Sequence, residues 1–473
     1  MKKTTLLLIC LISLSWNLIA QEKKERKFES LWEGKLKIGS VSLRLVLKTF
    51  LKDDGTLGAF LDSPDQGAKD IPVTFASVTD DSLKFKIDMI GATYNGKIEK
   101  DSLVVVGNFS QAGMNLPLNL KKVEKVAEIL RPQNPQKPYP YNEEEVVIEN
   151  RSANIKLGGT FTFPGEEKKY PAVVLVTGSG SQDRDETIFN HKPFWIIADY
   201  LTRNGIAVLR YDDRGIGKSG GDPSTATTAD FVTDVIASVE YLKTKNEIDQ
   251  TKIGIIGHSE GGMIAPMAVS LSDDIAFIVL LAGPGLTGKD ILIKQTELIL
   301  KAEGTKEEEL AKQVNRNKKI YNIIANEPDS LTAYHKLEEL YNLDFAQMSE
   351  EEKKDPTNSR DVFERNVKII LSPWFRFFLK FDPKLYLETV TVPVLAMNGE
   401  KDLQVPPKEN LSAIDEALKT AGNKNYKIVE LPGLNHLFQT CKTCTVSEYG
   451  QIEETFSPEA LKIIGDWIND ITK

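Results

Sequence analysis

Between residues 28 and 123, apolar residues fall mostly at every second position. Leu43, Leu45 and Leu47 follow Val41. Leu83, Phe85, Ile87 and Met89 repeat the spacing, as do Leu103 with Val105 and then Met114, Leu116, Leu118 and Leu120. A period of two sends one side of each segment to a core and the other to solvent or ligand, which predicts strands. Asp53-Asp54-Gly55, Asp62-Ser63-Pro64, Asn95-Gly96 and Lys100-Asp101 read as the turns between them. The expectation is a small all-β domain over 21–130, a barrel or sandwich of about six to eight antiparallel strands.

The pattern breaks where Pro132, Pro135, Pro138 and Pro140 crowd together. Such proline density favours an extended, semi-rigid linker, placed at 131–142. Beyond it, short apolar runs recur at 145–149, 155–163, 171–177, 206–211, 253–257, 275–281, 392–397 and 426–431. Runs rich in Val and Ile without polar alternation suit strands buried on both faces. Helical spacing lies between them, most clearly at 193–204, 229–243 and 410–420. Strand and helix in alternation predict an α/β domain over 143–473, with an eight-stranded, mostly parallel sheet. The stretch from Leu281 to Val392 is too long for a bare loop. Its helical periodicity, at Ile291–Ala302 and Glu307–Ile324, predicts a helical cap at about 286–388, inserted after the sixth strand of that sheet.

Charge and composition narrow the function. The 473 residues carry a net charge of -9 and a pI near 5.3. No basic field is available to collect phosphates, which argues against nucleic acid as a partner. Residues 1–20 combine Lys2 and Lys3, an apolar run from Leu6 to Leu14, and small Ala20 before a polar stretch. This is the layout of a cleaved signal peptide, and the run is too short for a stable membrane span. The expected location is secreted or periplasmic. Cleavage removes Cys10 and leaves Cys441 and Cys444. A structural disulfide or two free thiols fits this pair better than a redox or zinc site, because the thioredoxin-like βαβ context and further ligands are missing.

One motif carries the chemistry. Gly257-His258-Ser259-Glu260-Gly261 follows the apolar run 253–256 and precedes a helical run. G-x-S-x-G between strand and helix reads as a nucleophile elbow, with Ser259 on a strained turn and glycines admitting neighbouring backbone. The serine needs a base. Of His191, His258, His335 and His436, the last sits in a Gly-Asn turn just past the eighth run and is the candidate. The orienting carboxylate is Asp402, with Glu400 as rival, both following the strand at 392–397. The chain order Ser, Asp, His is the one that α/β-hydrolases use. For the oxyanion, the N–H of Glu260 is one expected donor and that of Ser179, in Thr177-Gly178-Ser179-Gly180-Ser181, the second, with Gly180 as alternate. Tyr211-Asp212-Asp213-Arg214-Gly215 and Asp183-Arg184-Asp185-Glu186 either bind metal or substrate or, the better reading, form buried ion-pair lattices that fix the active-site loops. Trp374 and Phe375, in an aromatic stretch of the cap, either line an acyl pocket or pack the cap on the core.

Taken together, the stretches Val174 to Asp185, Tyr211 to Gly215, Gly257 to Gly261, Ser372 to Phe375 and Gly433 to Gln439 resemble secreted bacterial α/β-hydrolases of the esterase type, related to dienelactone hydrolases and serine aminopeptidase-type hydrolases. The resemblance spans about 145–473, and the β-rich region more loosely. It implies hydrolysis of a small-molecule ester with short acyl chains, no cofactor and no metal, and supports Ser259, Asp402 and His436 as the triad. The Cys441-Cys444 pair departs from that pattern.

Overall fold

The computed structural model describes residues 29–38, 41–66, 68–99, 103–111, 114–126 and 130–473. The expected signal segment and the Lys100-Asp101 turn lie outside them.

The amino-terminal region forms nine antiparallel strands: β1 (Ser30–Ile38), β2 (Val41–Leu51), β3 (Leu57–Ser63), β4 (Ala68–Pro72), β5 (Phe75–Val78), β6 (Ser82–Ile87), β7 (Ala92–Ile98), β8 (Val104–Gln111) and β9 (Met114–Val123). They run in the order β4-β3-β2-β1-β9-β8-β7-β6-β5. The sheet curls until its two ends meet at Val73-Thr74. There Val73 N–H donates to Ala59 O of β3 at 3.1 Å and Thr74 N–H to Lys86 O of β6 at 2.8 Å. Among the described residues β4 and β5 do not pair, so the sheet is a curled half-barrel, in keeping with the barrel-like expectation. The strand number exceeds the expected range because β4 and β5 are too short to show a period.

The alternating residues Leu45, Leu47, Leu83, Phe85, Ile87, Val105, Leu118 and Leu120 fill one core. Met89 and Leu103 are exposed instead, since each lies in a turn at a strand end. Asn95-Gly96 is not a turn. It lies inside β7, with Gly96 opposite Gly107 of β8. A Cβ at either glycine would stand 2.6 Å from the Tyr94 hydroxyl, so both make room for that buried ring.

The second sheet has eight strands: β10 (Asn142–Asn150), β11 (Ile155–Phe163), β12 (Tyr170–Val176), β13 (Ala207–Tyr211), β14 (Ile248–His258), β15 (Phe277–Leu281), β16 (Val394–Gly399) and β17 (Tyr426–Leu431). The order is β10-β11-β13-β12-β14-β15-β16-β17. β10 and β11 are antiparallel to their neighbours and the rest are parallel. Helices cover both faces, which is why the central strands β12, β13, β15 and β16 lack polar alternation. Val173 and Leu175 face α1 (Pro193–Arg203), together with the chain's last helix, Pro458–Ile471. Val174 and Val176 face α2 (Thr228–Lys243) and α3 (Gly261–Val269).

The cap lies between β15 and β16 and comprises α4 (Gly288–Ala302), α5 (Glu307–Asn326), α6 (Ser330–Gln347), α7 (Glu350–Lys353), α8 (Arg360–Ile370), α9 (Pro373–Lys380) and α10 (Lys384–Leu387). Leu292, Ile324, Leu337 and Phe378 join its inner side to the sheet core. α11 (Pro407–Thr420), α12 (Val446–Tyr449) and α13 (Pro458–Ile471) complete the chain. No described helix is long and apolar enough to cross a membrane.

The proline-rich stretch is bonded down rather than spanning open space. Arg131 donates to the carbonyls of Phe189, Gly450 and Ile452 at 2.9–3.1 Å, and Gln133 Nε2 to Phe456 O at 2.7 Å. The curled sheet touches the same region through Pro64 O, which accepts from Asn190 Nδ2 at 2.7 Å.

Candidate active site

The site lies at the carboxyl ends of the parallel strands, where open α/β sheets place their ligands. β14 ends at His258 and α3 begins at Gly261, leaving Ser259 and Glu260 to make the whole turn. Ser259 has φ of 52°, a left-handed conformation that costs a serine energy and turns its side chain out of the sheet. The turn is tight because glycines surround it. A Cβ on Gly257 would stand 2.1 Å from Gly261 O, and one on Gly261 would stand 2.2 Å from Val176 O. Ser259 N–H donates to Leu281 O at 2.8 Å and pins the turn to β15. The side chain stays partly open to solvent.

The loops after β16 and β17 carry the other expected members. Asp402 is buried, and its Oδ1 accepts from the N–H groups of Gln404 at 2.7 Å and Val405 at 2.9 Å. Its Oδ2 takes a 2.7 Å bond with His436 Nδ1. This bond fixes the ring and leaves Nε2 as the nitrogen available for proton transfer. Glu400 is remote from that chemistry, exposed and bonded to Gly433 N–H and Lys401. His436 in turn is held at the elbow. Its carbonyl meets His258 Nε2 at 3.1 Å, and the two imidazole centroids are 4.9 Å apart. The remaining histidines are elsewhere. His335 is exposed on α6. His191 is buried with its nitrogens on Thr455 and Tyr449, and burial pushes its pKa down to about 4.

The loop after β12 reaches the serine: a Cβ on Gly178 would stand 3.2 Å from Ser259 Cβ. Gly178 N–H is already committed to Glu186 Oε1 at 2.7 Å. The next amide, Ser179, has no hydrogen-bond partner among the described residues, and neither has the N–H of Glu260 at the head of α3. Unused backbone donors beside a nucleophile are what an oxyanion requires.

Beneath these loops lie the expected ion pairs. Arg184 forks onto Asp212 with bonds of 2.7 and 3.0 Å, and Arg214 pairs with Asp234. Asp213 accepts from Thr177 Oγ1 and Gln182 N–H, and burial pushes its pKa well up. Sequence reasoning assigned Glu186 to this lattice, yet its carboxylate bonds to His258 Nδ1 at 2.8 Å. It also missed the side chain of Glu260, whose buried Oε1 accepts from Thr228 Oγ1 at 2.6 Å and Trp374 Nε1 at 2.8 Å. A charged residue inside an otherwise apolar turn and helix was the available signal for both His258 and Glu260. In the cap, Phe375 is only 2% exposed and packs against Tyr321, while Trp374 is half-buried and stacks on Phe378. Cys441 and Cys444 form a disulfide in the loop after His436.

A family model for serine aminopeptidase, S33, matches residues 194–343, which include Ser259. The match covers less than half of the chain and takes in the strand-elbow-helix. Over those residues the chain resembles the α/β-hydrolases. Esterase EstD of Thermotoga maritima is 26% identical to this chain over 301 residues, 63% of this chain and 61% of its own length. The match thus spans less than two thirds of that relative. The Escherichia coli protein YcjY is 28% identical over 117 residues, 24% of this chain and 36% of its own. Among solved structures, the Pyrococcus furiosus esterase Pf2001 aligns over 73% of this chain and 99% of its own, with 18% identity and a TM-score of 0.43.

Proposed function

We propose that this hydrolase cleaves carboxylic esters through an acyl-enzyme. Ser259 attacks the ester carbonyl, His436 accepts its proton and returns it to the departing alcohol, and Asp402 holds the imidazole and offsets its positive charge. The amides of Glu260 and Ser179 receive the negative oxygen of the tetrahedral intermediate. Water, activated by His436, then releases the acid. The observation that carries this reading is the buried 2.7 Å bond between His436 and Asp402, on adjacent loops beside a left-handed Ser259. The name of EstD supports ester over amide chemistry. Trp374 is the candidate wall of a pocket for short acyl chains, Phe375 being packed inside the cap. The division into a β-domain at 21–130, a linker at 131–142 and a catalytic half at 143–473 belongs to this proposal. So does export by the segment 1–20 to a secreted or periplasmic location.

The family model's description favours a second reading, release of amino-terminal residues from peptides. The two separate on p-nitrophenyl esters, acetate to dodecanoate, against amino-acid p-nitroanilides, with Ser259→Ala beside wild type. Fast turnover of short esters, lost in the variant, supports the esterase. Turnover of anilides alone supports the peptidase.

A further inference from the structure

His258 stands next to the nucleophile in sequence, yet the proposed reaction gives it no proton to move. Its environment is specific nonetheless. The ring is buried, with Nδ1 2.8 Å from Glu186 Oε1 and Nε2 3.1 Å from the carbonyl of His436. A carbonyl can only accept. Glu186 Oε1 also accepts the N–H of Gly178 at 2.7 Å. Facing a carboxylate at Nδ1 and a carbonyl at Nε2, the ring donates from both nitrogens, and an imidazole with two N–H groups is an imidazolium. Burial opposes a charge there, but the Glu186 carboxylate, its hydrogen bond and the His436 carbonyl outweigh it, holding the His258 pKa above the usual histidine value. Asp402, across the site, acts in the same direction.

The pair has two outward bonds, and each ends on a different part of the site. From Glu186 one runs to Gly178, the residue before the proposed oxyanion amide of Ser179. From His258 the other runs to the backbone of the proposed base. Glu186 itself has φ of 51°, a backbone conformation that a glutamate adopts only when its surroundings impose it. Its loop is anchored by Asp183, which accepts from Thr187 N–H at 2.9 Å and Thr187 Oγ1 at 2.7 Å.

We propose that Glu186 and His258 form a charged positioning pair that sets the oxyanion loop and the histidine loop in register with Ser259. The proposal rests on the serine-hydrolase reading above and adds a role for two residues outside the triad. His258 also places a fixed positive charge 4.9 Å, centroid to centroid, from the imidazole of His436. The groups facing His258 are Glu186 from the loop before α1, Asp402 from the loop after β16, and His436 from the loop after β17.

The test uses the full chain with 15N-labelled histidine. In wild type, His258 shows two ring N–H signals between about pH 6 and 8, where a free histidine loses its second proton. In Glu186→Gln the second N–H is lost at lower pH. A neutral His258 in wild type, or the same titration in both proteins, overturns the proposal. In His258→Gln, kcat for p-nitrophenyl butyrate falls about 10- to 100-fold with KM within about twofold, as expected from sub-ångström misplacement of reacting groups. Fluorophosphonate labelling of Ser259 slows in parallel with kcat. A folded His258→Gln with wild-type rates contradicts the proposal. Should that variant not fold, the titration of wild type and Glu186→Gln still decides. Failure of wild type to take the fluorophosphonate removes the serine-nucleophile reading instead, and leaves the ring signals to report on the pair alone.

Discussion

The indole N–H of Trp374, in the cap, donates to Glu260 Oε1 at 2.8 Å, and Glu260 is the residue immediately after Ser259. The cap is thereby joined to the elbow by a hydrogen bond as well as by packing. Thr228 Oγ1 holds the same oxygen at 2.6 Å, so three chain segments meet at one buried carboxyl. Trp374→Phe keeps most of the apolar ring and removes only the donor. We expect it to destabilise the protein by about 1 kcal/mol, the low end for a buried acceptor because Thr228 remains. Urea unfolding of both proteins checks this, and an unchanged midpoint and slope would mean the bond contributes nothing.

Glu260 gives a dependence on pH with a defined sign. Burial raises its pKa above the usual 4.5, while the bonds from Thr228 and Trp374 oppose the shift. The folded state therefore holds the proton more tightly than the unfolded chain. The resulting stability is complete below about 4.5 and is lost as pH rises through the folded-state value. Glu260→Gln cannot titrate. Its stability relative to wild type should rise with pH across that window, then level off. A flat difference, or one falling with pH, contradicts the environment described for this carboxyl.

Asp402→Asn preserves the shape of the site but replaces the acceptor facing His436 Nδ1. An amide there favours the wrong tautomer, and kcat should fall by about 10⁴-fold with little change in fold. Steady-state kinetics with circular dichroism on the same sample measures both. Activity within tenfold of wild type would assign the carboxylate role to another residue.

Gly261→Ala tests the tightness of the elbow. The added Cβ would stand 2.2 Å from the backbone oxygen of Val176, which cannot rotate away. We expect a cost of about 1–3 kcal/mol as the strand and helix separate, with loss of activity beyond what unfolding explains. Thermal unfolding and kinetics below the transition measure the two parts. An unaltered melting temperature would show that the turn can relax.

Much of the scaffold was legible because helices on both faces leave β12 to β16 no wet side, so Val and Ile run unbroken. Ser259, Asp402 and His436 are candidates on local signals, the elbow pattern and the strand ends, and the structure brings Asp402 and His436 into hydrogen-bond contact. The curled sheet was harder to read. Its edge strands β4 and β5 are too short to show a period, and Asn95-Gly96 mimics a turn while serving the packing of Tyr94. The pairing of Glu186 with His258, 72 residues apart, depends on where a left-handed loop folds back. The bond from Trp374 to Glu260 spans 114 residues, most of them in the cap. No local pattern encodes contacts of that range between single side chains.

The central claim is that Ser259 becomes acylated. It is tested most directly by acid-quenching the protein during turnover of p-nitrophenyl butyrate and mapping the added mass by peptide mass spectrometry. The account predicts a butyryl group on the peptide containing Ser259, absent from Ser259→Ala. Turnover that continues in Ser259→Ala, or an acyl group found only on another residue, would contradict it.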